Sequence, residues 1–253
     1  MKTRTVIIAL VTLVFALTCG KKGYSLTALE IIEKSEKAVR GDSQTGTFDI
    51  TVKTRRWTRT MRLRSWESRI QKKSFAEIVS PAKDAGNRFL LIGSNMWQYV
   101  PKLQQTIKIS PSMMLQSWMG SDFTNDDIVK ESSIVVDYTH TLIGSETVDG
   151  YACYKIQLDP KPEAAVVWGK IIYYAREGDC LPVREEFYNE HGVLKKYMAC
   201  GAFKTMHDRV IPTVYKMQTT GKEDQYTIME LKETRFNTQI PGQVFTLQNL
   251  TRK

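Results

Sequence analysis

The chain has 253 residues, with 36 Lys and Arg against 27 Asp and Glu, so its formal net charge is +9 at pH 7. Its apolar share of 42% is enough to bury a core, and its length suits one all-β domain. A moderate positive charge favours contact with anionic surfaces but does not require nucleic acid, and no nucleic acid is predicted as a partner.

The first 25 residues are typical of an export segment. Lys2 and Arg4 precede an apolar run from Val6 to Leu17. That run is too short to span a bilayer and fits a signal-peptide core. Removing residues 1–25 leaves 32 basic against 27 acidic residues, a charge of +5. We therefore predict residues 1–25 to be a signal peptide and tether, and residues 26–253 to be one domain that works outside the cytoplasm.

The cleavage site has two interpretations. Cys19 directly follows the apolar core and precedes Gly20, as in a lipoprotein processing box, where the thiol is acylated and becomes the new N-terminus. The third position before the cysteine is Ala16 rather than the usual leucine. Cutting after Ser25 is the alternative. We prefer acylation at Cys19, which predicts a membrane-anchored protein.

A helix is predicted to open the domain. Thr27 and Glu30 have the spacing of a capping box, and Gly41 follows as a stop signal. The apolar stripe of this helix comprises Ala28, Leu29, Ile31, Ile32, Ser35 and Val39.

The periodicity changes to alternation from Thr47 onward, which indicates strands. Asp149-Gly150 is a strong two-residue hairpin signal, and Gly93-Ser94-Asn95 is another turn. The pattern predicts a mainly β protein with about ten or eleven antiparallel strands, a meander that curls toward a barrel.

A methionine-rich insertion interrupts the strands. Ser110-Pro111 can start a helix, and Thr124 with the acids after it can start another short helical turn. The apolar face of the first helix comprises Met113, Met114, Leu115, Trp118 and Met119. We predict that this insertion covers one face of the sheet.

Motifs for catalysis are lacking. The sequence contains no G-x-S-x-G, H-E-x-x-H or P-loop pattern, and its histidines are His140, His191 and His207. A Ser-His-Asp triad is defined by geometry, so the sequence alone does not test it. We predict no catalytic residue, no cofactor and no metal site.

Two groups of residues are candidates for a metal site or a disulfide. Asp122, Asp126 and Asp127 fail the calcium-loop pattern and are better read as helix-capping acids. Cys153, Cys180 and Cys200 lack metal spacing; one pair could bridge and leave an odd thiol, but we expect mostly small buried apolar residues.

Basic residues crowd one predicted hairpin. Most are expected to form a solvated strand face, although such a surface could also meet anionic headgroups. Arg59 differs because it shares a face with Met61 and Leu63, so it needs a partner: a headgroup, or a carboxylate on the covering helix. The group comprises Arg55, Arg56, Arg59, Arg62, Arg64, Arg69, Lys72 and Lys73.

Aromatic residues and methionines concentrate in one third of the chain. Each could be ordinary core, but as a set they suit an adaptable apolar cavity, because methionine packs around irregular ligands. The candidate lipid-binding residues are Trp57, Arg59, Met61, Leu63, Phe89, Leu91, Trp97, Tyr99, Met113, Met114, Leu115, Trp118 and Met119.

Several motifs resemble a known family. Residues 93–105, with a glycine turn, W-x-Y and proline, resemble the hairpin of the lipoprotein carrier LolA, and Phe245-Thr246-Leu247 resembles its closing strand. The longer likeness is to a LolA-like branch of outer membrane lipoprotein-sorting proteins, and it covers the whole mature chain. It is carried by the segments 57–61, 80–86, 116–127 and 166–170.

This resemblance implies an unclosed antiparallel β-barrel whose concave apolar face is covered by helices and receives the acyl chains of a lipid or lipoprotein. It implies a monomer in the periplasm, with a membrane surface and an inner-membrane ABC-type transporter as partners. An acylated Cys19 would make the protein more like the anchored receptor LolB than the soluble carrier. The alternatives are a lipid-hydrolysing enzyme that uses the same cavity, and a structural or adhesive β domain with no ligand.

Overall fold

The computed structural model describes residues 26–110, 113–114, 116–125, 127, 134–164 and 166–252. The described chain begins with helix α1, Ala28–Val39, and continues with thirteen strands. It ends with two short helical elements, Gly242–Phe245 and Leu247–Leu250. The predicted signal sequence, Cys19 and Leu115 lie outside the described residues.

The strands are β1 Ser43–Lys53, β2 Thr58–Ser68, β3 Lys73–Ser80, β4 Arg88–Ile92, β5 Asn95–Val100, β6 Gln105–Ile109, β7 Tyr138–Val148, β8 Tyr151–Pro160, β9 Lys170–Arg176, β10 Pro182–Tyr188, β11 Leu194–Met206, β12 Arg209–Thr219 and β13 Tyr226–Phe236.

All thirteen strands belong to one antiparallel sheet in the order β6-β5-β4-β3-β2-β1-β13-β12-β11-β10-β9-β8-β7. Pairing of β1 with β13 joins the two halves of the meander. In the described chain β6 and β7 form the two edges, so the barrel is not closed. The predicted fold class is confirmed, with thirteen strands instead of ten or eleven; β3 is a strand that the alternation did not single out.

Helix α1 starts at the predicted capping box. The Thr27 N–H donates to Glu30 Oε2 over 2.7 Å, and the Glu30 N–H donates to Thr27 Oγ1 over 3.2 Å. Ile31 and Ile32 are fully buried against the sheet, whereas Leu29 is 41% exposed. Leu29 was therefore wrongly assigned to the buried stripe, because the stripe is narrower than the run of apolar residues.

The predicted hairpin between β7 and β8 is confirmed. Asp149 has φ 49° and Gly150 has φ 85°. Two successive positive φ values match the right-handed twist of the flanking strands, and aspartate followed by glycine adopts them at low cost.

The alternation along the strands divides the sheet into two apolar faces. On β3, for example, Ile78 packs on the concave face under the insertion, and Phe75 packs on the convex face. Phe245 and Leu250 cover the convex face near Phe75. Phe245-Thr246-Leu247 does not form the closing strand that the resemblance suggested: it spans the junction of the two C-terminal helical elements.

Cys153, Cys180 and Cys200 are buried, as expected. Burial raises the pKa of the Cys153 thiol to about 11, so it stays protonated at neutral pH. Burial also raises the pKa of Cys180. These residues behave as small apolar side chains.

Candidate functional site

The methionine-rich insertion lies on the concave face of the first half of the sheet. We call residues 113–127 the cover; the structure describes residues 113–114, 116–125 and 127 of it. Beneath the cover lies an apolar cluster from β1 to β6, which we call the covered cluster. Its buried members are Ile50, Val52, Met61, Leu63, Ile78, Phe89, Met96, Ile109 and Trp118.

Trp118 anchors the cover on this cluster. Its side chain is 3% exposed, and its ring centroid lies 5.3 Å from that of Phe89. Met113, Met114 and Met119 pack around the same cluster while remaining partly exposed. Flexible thioether side chains thus form much of the boundary between the cover and the sheet, and they can repack around a guest.

The cover is not the regular helix that the sequence predicted. Trp118–Gly120 forms one 3-10 turn, with Met119 in the left-handed region at φ 52°. The Trp118 N–H donates to the Phe123 carbonyl over 2.8 Å, which folds this segment back on itself. The predicted cap at Thr124 is present, because its N–H donates to Asp127 over 2.8 Å and its hydroxyl accepts from the Asp127 N–H over 3.1 Å. A cover built this way relies on its attachments to the sheet.

Arg59 forms the first attachment. Its guanidinium donates to the Met119 carbonyl and lies 3.5 Å from the Asp84 carboxylate. Trp57 stacks beside it, with the guanidinium carbon 5.2 Å from the ring centroid. The sequence predicted a headgroup or a carboxylate of the cover as the partner of Arg59. The partner is a carboxylate, but Asp84 belongs to the β3–β4 loop and not to the cover.

Asp122 forms the second attachment. Its carboxylate accepts from the hydroxyl of Thr219 over 3.0 Å and from that of Thr227 over 2.8 Å. Its N–H donates to the Thr227 hydroxyl over 2.9 Å. These bonds fasten the cover to β12 and β13, across the seam between the two halves of the sheet.

Asp127 forms the third attachment through an ion pair with Lys196 of β11. The two side chains are only 3% and 5% exposed. The Lys196 ammonium also lies 5.0 Å from the Trp168 ring centroid. Asp122 and Asp127 therefore both hold the cover in place. Asp127 also belongs to the helix cap at Thr124, as predicted, whereas Asp122 bonds to strand hydroxyls instead of capping a described helix.

A cavity of about 360 Å³ lies between the cover, helix α1 and the sheet. This volume is at the lower end of the range of about 300–1,000 Å³ that is typical of ligand pockets. Apolar side chains form most of its wall. They include Phe48, Ile50, Leu63, Phe89, Trp118, Met198, Met217, Met229 and Leu231.

The cavity has a polar end near the last turn of α1. Arg40 lies 3.7 Å from Glu36, and Glu36, with smaller contributions from Glu67 and Glu185, raises the pKa of the Arg40 guanidinium. Burial raises the pKa of Tyr173 well above its usual value. Its hydroxyl lies 2.7 Å from the Ser35 hydroxyl. The cavity therefore combines a long apolar wall with a charged end.

Most predicted lipid-binding residues meet at the covered cluster. They are Met61, Leu63, Phe89, Leu91, Met113, Met114, Trp118 and Met119. Trp57 is 43% exposed at the edge of the cover, and Arg59 holds the cover from beside the cluster.

Trp97 and Tyr99 do not reach the cavity. They pack on the convex face, in the cluster that contains Phe75 and Phe245. Residues 96 and 98 of β5 face the cover instead, because side chains alternate along a strand. Trp97 and Tyr99, which the sequence named as candidate lipid-binding residues, therefore do not line the cavity.

The second half of the chain supplies part of the cavity wall, which the sequence did not predict. Met198, Met217 and Met229 come from β11, β12 and β13 and line the cavity. Each lies on an alternating strand, but only the pairing of β1 with β13 shows that these strands meet the first half.

The described residues offer little for catalysis. His140 contacts the Ile134 carbonyl over 2.6 Å, and His191 and His207 lie beside exposed acids. None of these histidines is hydrogen-bonded to a serine within the described ranges. Those ranges also contain no cluster of three or more His, Cys, Asp or Glu that could hold a metal ion.

No helix of the described residues combines the length and apolarity needed to cross a membrane.

The fold is that of LolA-like proteins. A LolA superfamily protein from Nitrosomonas europaea superposes with a TM-score of 0.74 at 21% identity, over 89% of this chain and 100% of its own. A domain from Vibrio parahaemolyticus described as an outer membrane lipoprotein-sorting protein gives 0.76 at 21% identity, over 89% of this chain and 98% of its own. A DUF1329 family protein from Desulfovibrio piger gives 0.80 at 19% identity, over 88% of this chain and 97% of its own.

A family model described only as that of an uncharacterized protein matches residues 71–252. The chain belongs to that family, and its fold is LolA-like. No curated protein matches it significantly in sequence.

Proposed function

We propose that the protein is a periplasmic carrier or membrane-anchored receptor that binds the acyl chains of lipids or lipoproteins in its cavity and moves them toward the outer membrane. Residues 26–253 form the lipid-binding domain, and residues 1–25 supply the signal peptide and, through Cys19, the tether. The protein works as a monomer, and an inner-membrane ABC-type transporter supplies its cargo.

One observation carries this proposal: an apolar cavity closed by a segment that polar contacts hold in place. The cavity wall includes side chains from both halves of the sheet. The cover above it is attached by Arg59, Asp122 and Asp127. Such contacts can exchange with water when the cover lifts, so the cavity can open without unfolding the sheet.

The energetics suit transfer. Burying an acyl methylene contributes about 0.8 kcal/mol, so a dozen contribute roughly 10 kcal/mol. Association costs of about 4–15 kcal/mol offset much of this. Binding is then strong enough to extract a chain from a membrane and weak enough to release it once the cover moves.

Filling the cavity tests the binding site. Ser65 lines the cavity, and Ser65→Trp would place a large aromatic side chain inside it on a strand that tolerates aromatics. The control is Ser145→Trp on β7, where the side chain faces solvent. We expect Ser65→Trp to abolish displacement of a fluorescent fatty-acid probe and to remove lipid that co-purifies in native mass spectrometry. Equal binding by both variants would refute the cavity as the acyl site.

Locking the cover tests its movement. Asp122 and Thr227 are in side-chain contact, so the double variant Asp122→Cys with Thr227→Cys is the disulfide to engineer between the cover and β13, and formation of the bond is checked by thiol titration. We expect the oxidised double variant to take up the probe far more slowly than either single variant, and a reductant to restore uptake. Uptake that is indifferent to oxidation would show that the cargo does not enter beneath the cover.

The purified protein and its Ser65→Trp variant also distinguish a lipid carrier from a lipid-hydrolysing enzyme. Phospholipid incubated with the pure protein should remain intact. Release of fatty acid above a heat-treated control, lost in Ser65→Trp, would replace carriage by hydrolysis as the function.

A further inference from the structure

Three connections of the sheet lie side by side next to the cover. They are the β1–β2 turn, the β3–β4 loop and the β5–β6 turn, which span residues 54–57, 81–87 and 101–104. Alternate connections of an antiparallel meander lie at the same end of the sheet. Local contacts agree, since a Cβ at Gly86 would lie 3.4 Å from Pro101. We call these three connections the basic rim.

The basic rim carries an uncompensated positive charge. Arg55, Arg56, Lys83 and Lys102 are exposed. Its single acid, Asp84, is 6% exposed and already pairs with Arg59. Arg55 lies 3.2 Å from Asp224, so this acid offsets one of the four cations and the charge of the other three remains.

The other connections at this end have the opposite balance. They span residues 161–169, 189–193 and 220–225. Together they contain Lys161 and Lys222 against the acids Glu163, Glu190, Glu223 and Asp224. Positive charge is therefore concentrated next to the cover and is not a property of the whole end of the sheet.

Two large apolar side chains project from the basic rim. Trp57 is 43% exposed and Leu103 is 60% exposed. The turn that presents Trp57 is held by hydrogen bonds, because the Trp57 N–H donates to the Thr54 hydroxyl over 3.1 Å. Tryptophan favours the headgroup region of a bilayer, and basic residues around apolar ones are the composition that anionic membranes attract.

We propose that the basic rim is a docking surface for an anionic lipid bilayer, with Trp57 and Leu103 entering the headgroup region and the four cations contacting lipid phosphates. This docking is separate from binding in the cavity. It also orients the cavity: the Trp57 ring lies 3.8 Å from where a Cβ at Gly120 would stand, so the edge of the cover faces the membrane.

A second pocket supports the orientation in which the edge of the cover faces the membrane. A pocket of about 280 Å³ separates the cover from the start of the basic rim, and Lys53, Thr54, Gly120 and Asp122 are among its lining residues. A docked protein would present this pocket and the second attachment of the cover to the lipid surface, where a lipid could enter or leave.

Vesicle binding tests the proposal. The protein carries Cys19→Ser throughout, so that no acyl anchor contributes, and is mixed with phosphatidylglycerol–phosphatidylcholine vesicles or with phosphatidylcholine alone. The rim variant combines Arg55→Gln, Arg56→Gln, Lys83→Gln and Lys102→Gln. The control combines Lys34→Gln, Lys37→Gln, Lys72→Gln and Lys204→Gln, which removes the same charge from exposed residues away from the rim.

We expect salt-sensitive binding to the anionic vesicles alone, weakened on the order of 100-fold in the rim variant and by less than about 5-fold in the control. Trp57→Ala with Leu103→Ala should weaken binding about 10-fold and remove the part of the quenching by brominated lipids that Trp57 contributes. Equal losses in the rim and control variants, or equal binding to both kinds of vesicle, would overturn the proposal. Fatty-acid probe binding should be normal in the rim variant, so the cavity and the docking surface can fail separately.

Discussion

The two halves of the concave face are closed in different ways. Ile31 and Ile32 of helix α1 are fully buried and pack against Phe187 and Tyr173 of the second half of the sheet. Under the cover, Met61 and Leu63 are equally buried, but the side chains above them are partly exposed methionines. The first region is a closed apolar core, and the second is an apolar surface beneath a segment whose contacting methionines are partly exposed.

The difference follows from how each closing element is held. Helix α1 satisfies most of its backbone hydrogen bonds itself, and its buried apolar stripe is its main attachment to the sheet. The Ser35–Tyr173 hydroxyl contact and hydrogen bonds from Arg209 to the Lys37 and Arg40 carbonyls add to it. The described part of the cover includes the 3-10 turn Trp118–Gly120 and is fastened by side chains such as Asp122 and Arg59. Polar attachments exchange with water at a small net cost. A protein that must hold and release an apolar guest needs both kinds of region.

The largest expected effect is a difference in the free energy of unfolding between variants of helix α1 and variants of the cover. Ile31→Ala should lower the free energy of unfolding by about 2–5 kcal/mol, because it leaves a cavity in a closed core. Trp118→Ala should cost less than half as much, since the sheet persists when the cover is loosened. Urea denaturation measures both. Equal losses in the two variants would mean that the cover is as much a part of the stable core as helix α1 is.

The next effect concerns the ion pair that joins the two regions. Lys196→Met should lower the free energy of unfolding by about 3 kcal/mol, because it leaves the buried Asp127 carboxylate without this ammonium. Lys195→Met changes the exposed neighbouring lysine and should cost almost nothing. A loss below about 1 kcal/mol in Lys196→Met would show that water reaches the pair easily.

A smaller effect on stability, with a clear effect on exchange, is expected at the second attachment. Asp122→Ala removes the acceptor for the hydroxyls of Thr219 and Thr227. We expect a loss of about 1–2 kcal/mol and dissociation of a bound fatty-acid probe about 10-fold faster in stopped-flow measurements. Asp42→Ala, at an exposed ion pair with Arg69, is the control. An unchanged dissociation rate would mean that Asp122 does not restrain the cover.

The smallest effect is expected outside both regions, at the convex face. The hydrogen bond from Arg62 lowers the pKa of Asp49. A carboxyl group with a lowered folded pKa contributes stability above its unfolded pKa of about 4, and that contribution is lost as the pH falls through the folded value. Asp49→Asn should therefore reduce stability by less than about 1 kcal/mol at pH 7, and the difference from the wild type should shrink as the pH falls below the unfolded pKa. A constant difference would assign the effect to packing.

Local patterns accounted for much of the architecture. The capping box at Thr27 and the hairpin at Asp149-Gly150 form where the sequence predicted them. Alternation placed Met61 and Leu63 on the same strand face, and both pack in the covered cluster. These features depend on neighbouring residues and on a period of two, so the sequence contains the information directly.

Tertiary structure decided the remainder. The W-x-Y motif alternates correctly, but the choice of face for Trp97 depends on whether the cover or the C-terminal segment packs there. The cover became an irregular segment because Asp122 and Asp127 bond to β12, β13 and β11, which are distant in sequence. The sequence by itself therefore determined the strands, the first helix and the apolar character of the concave face. Only the fold decided which strands complete the cavity, which carboxylates hold its cover and where the positive charge gathers, because each of these depends on contacts between residues far apart in the chain.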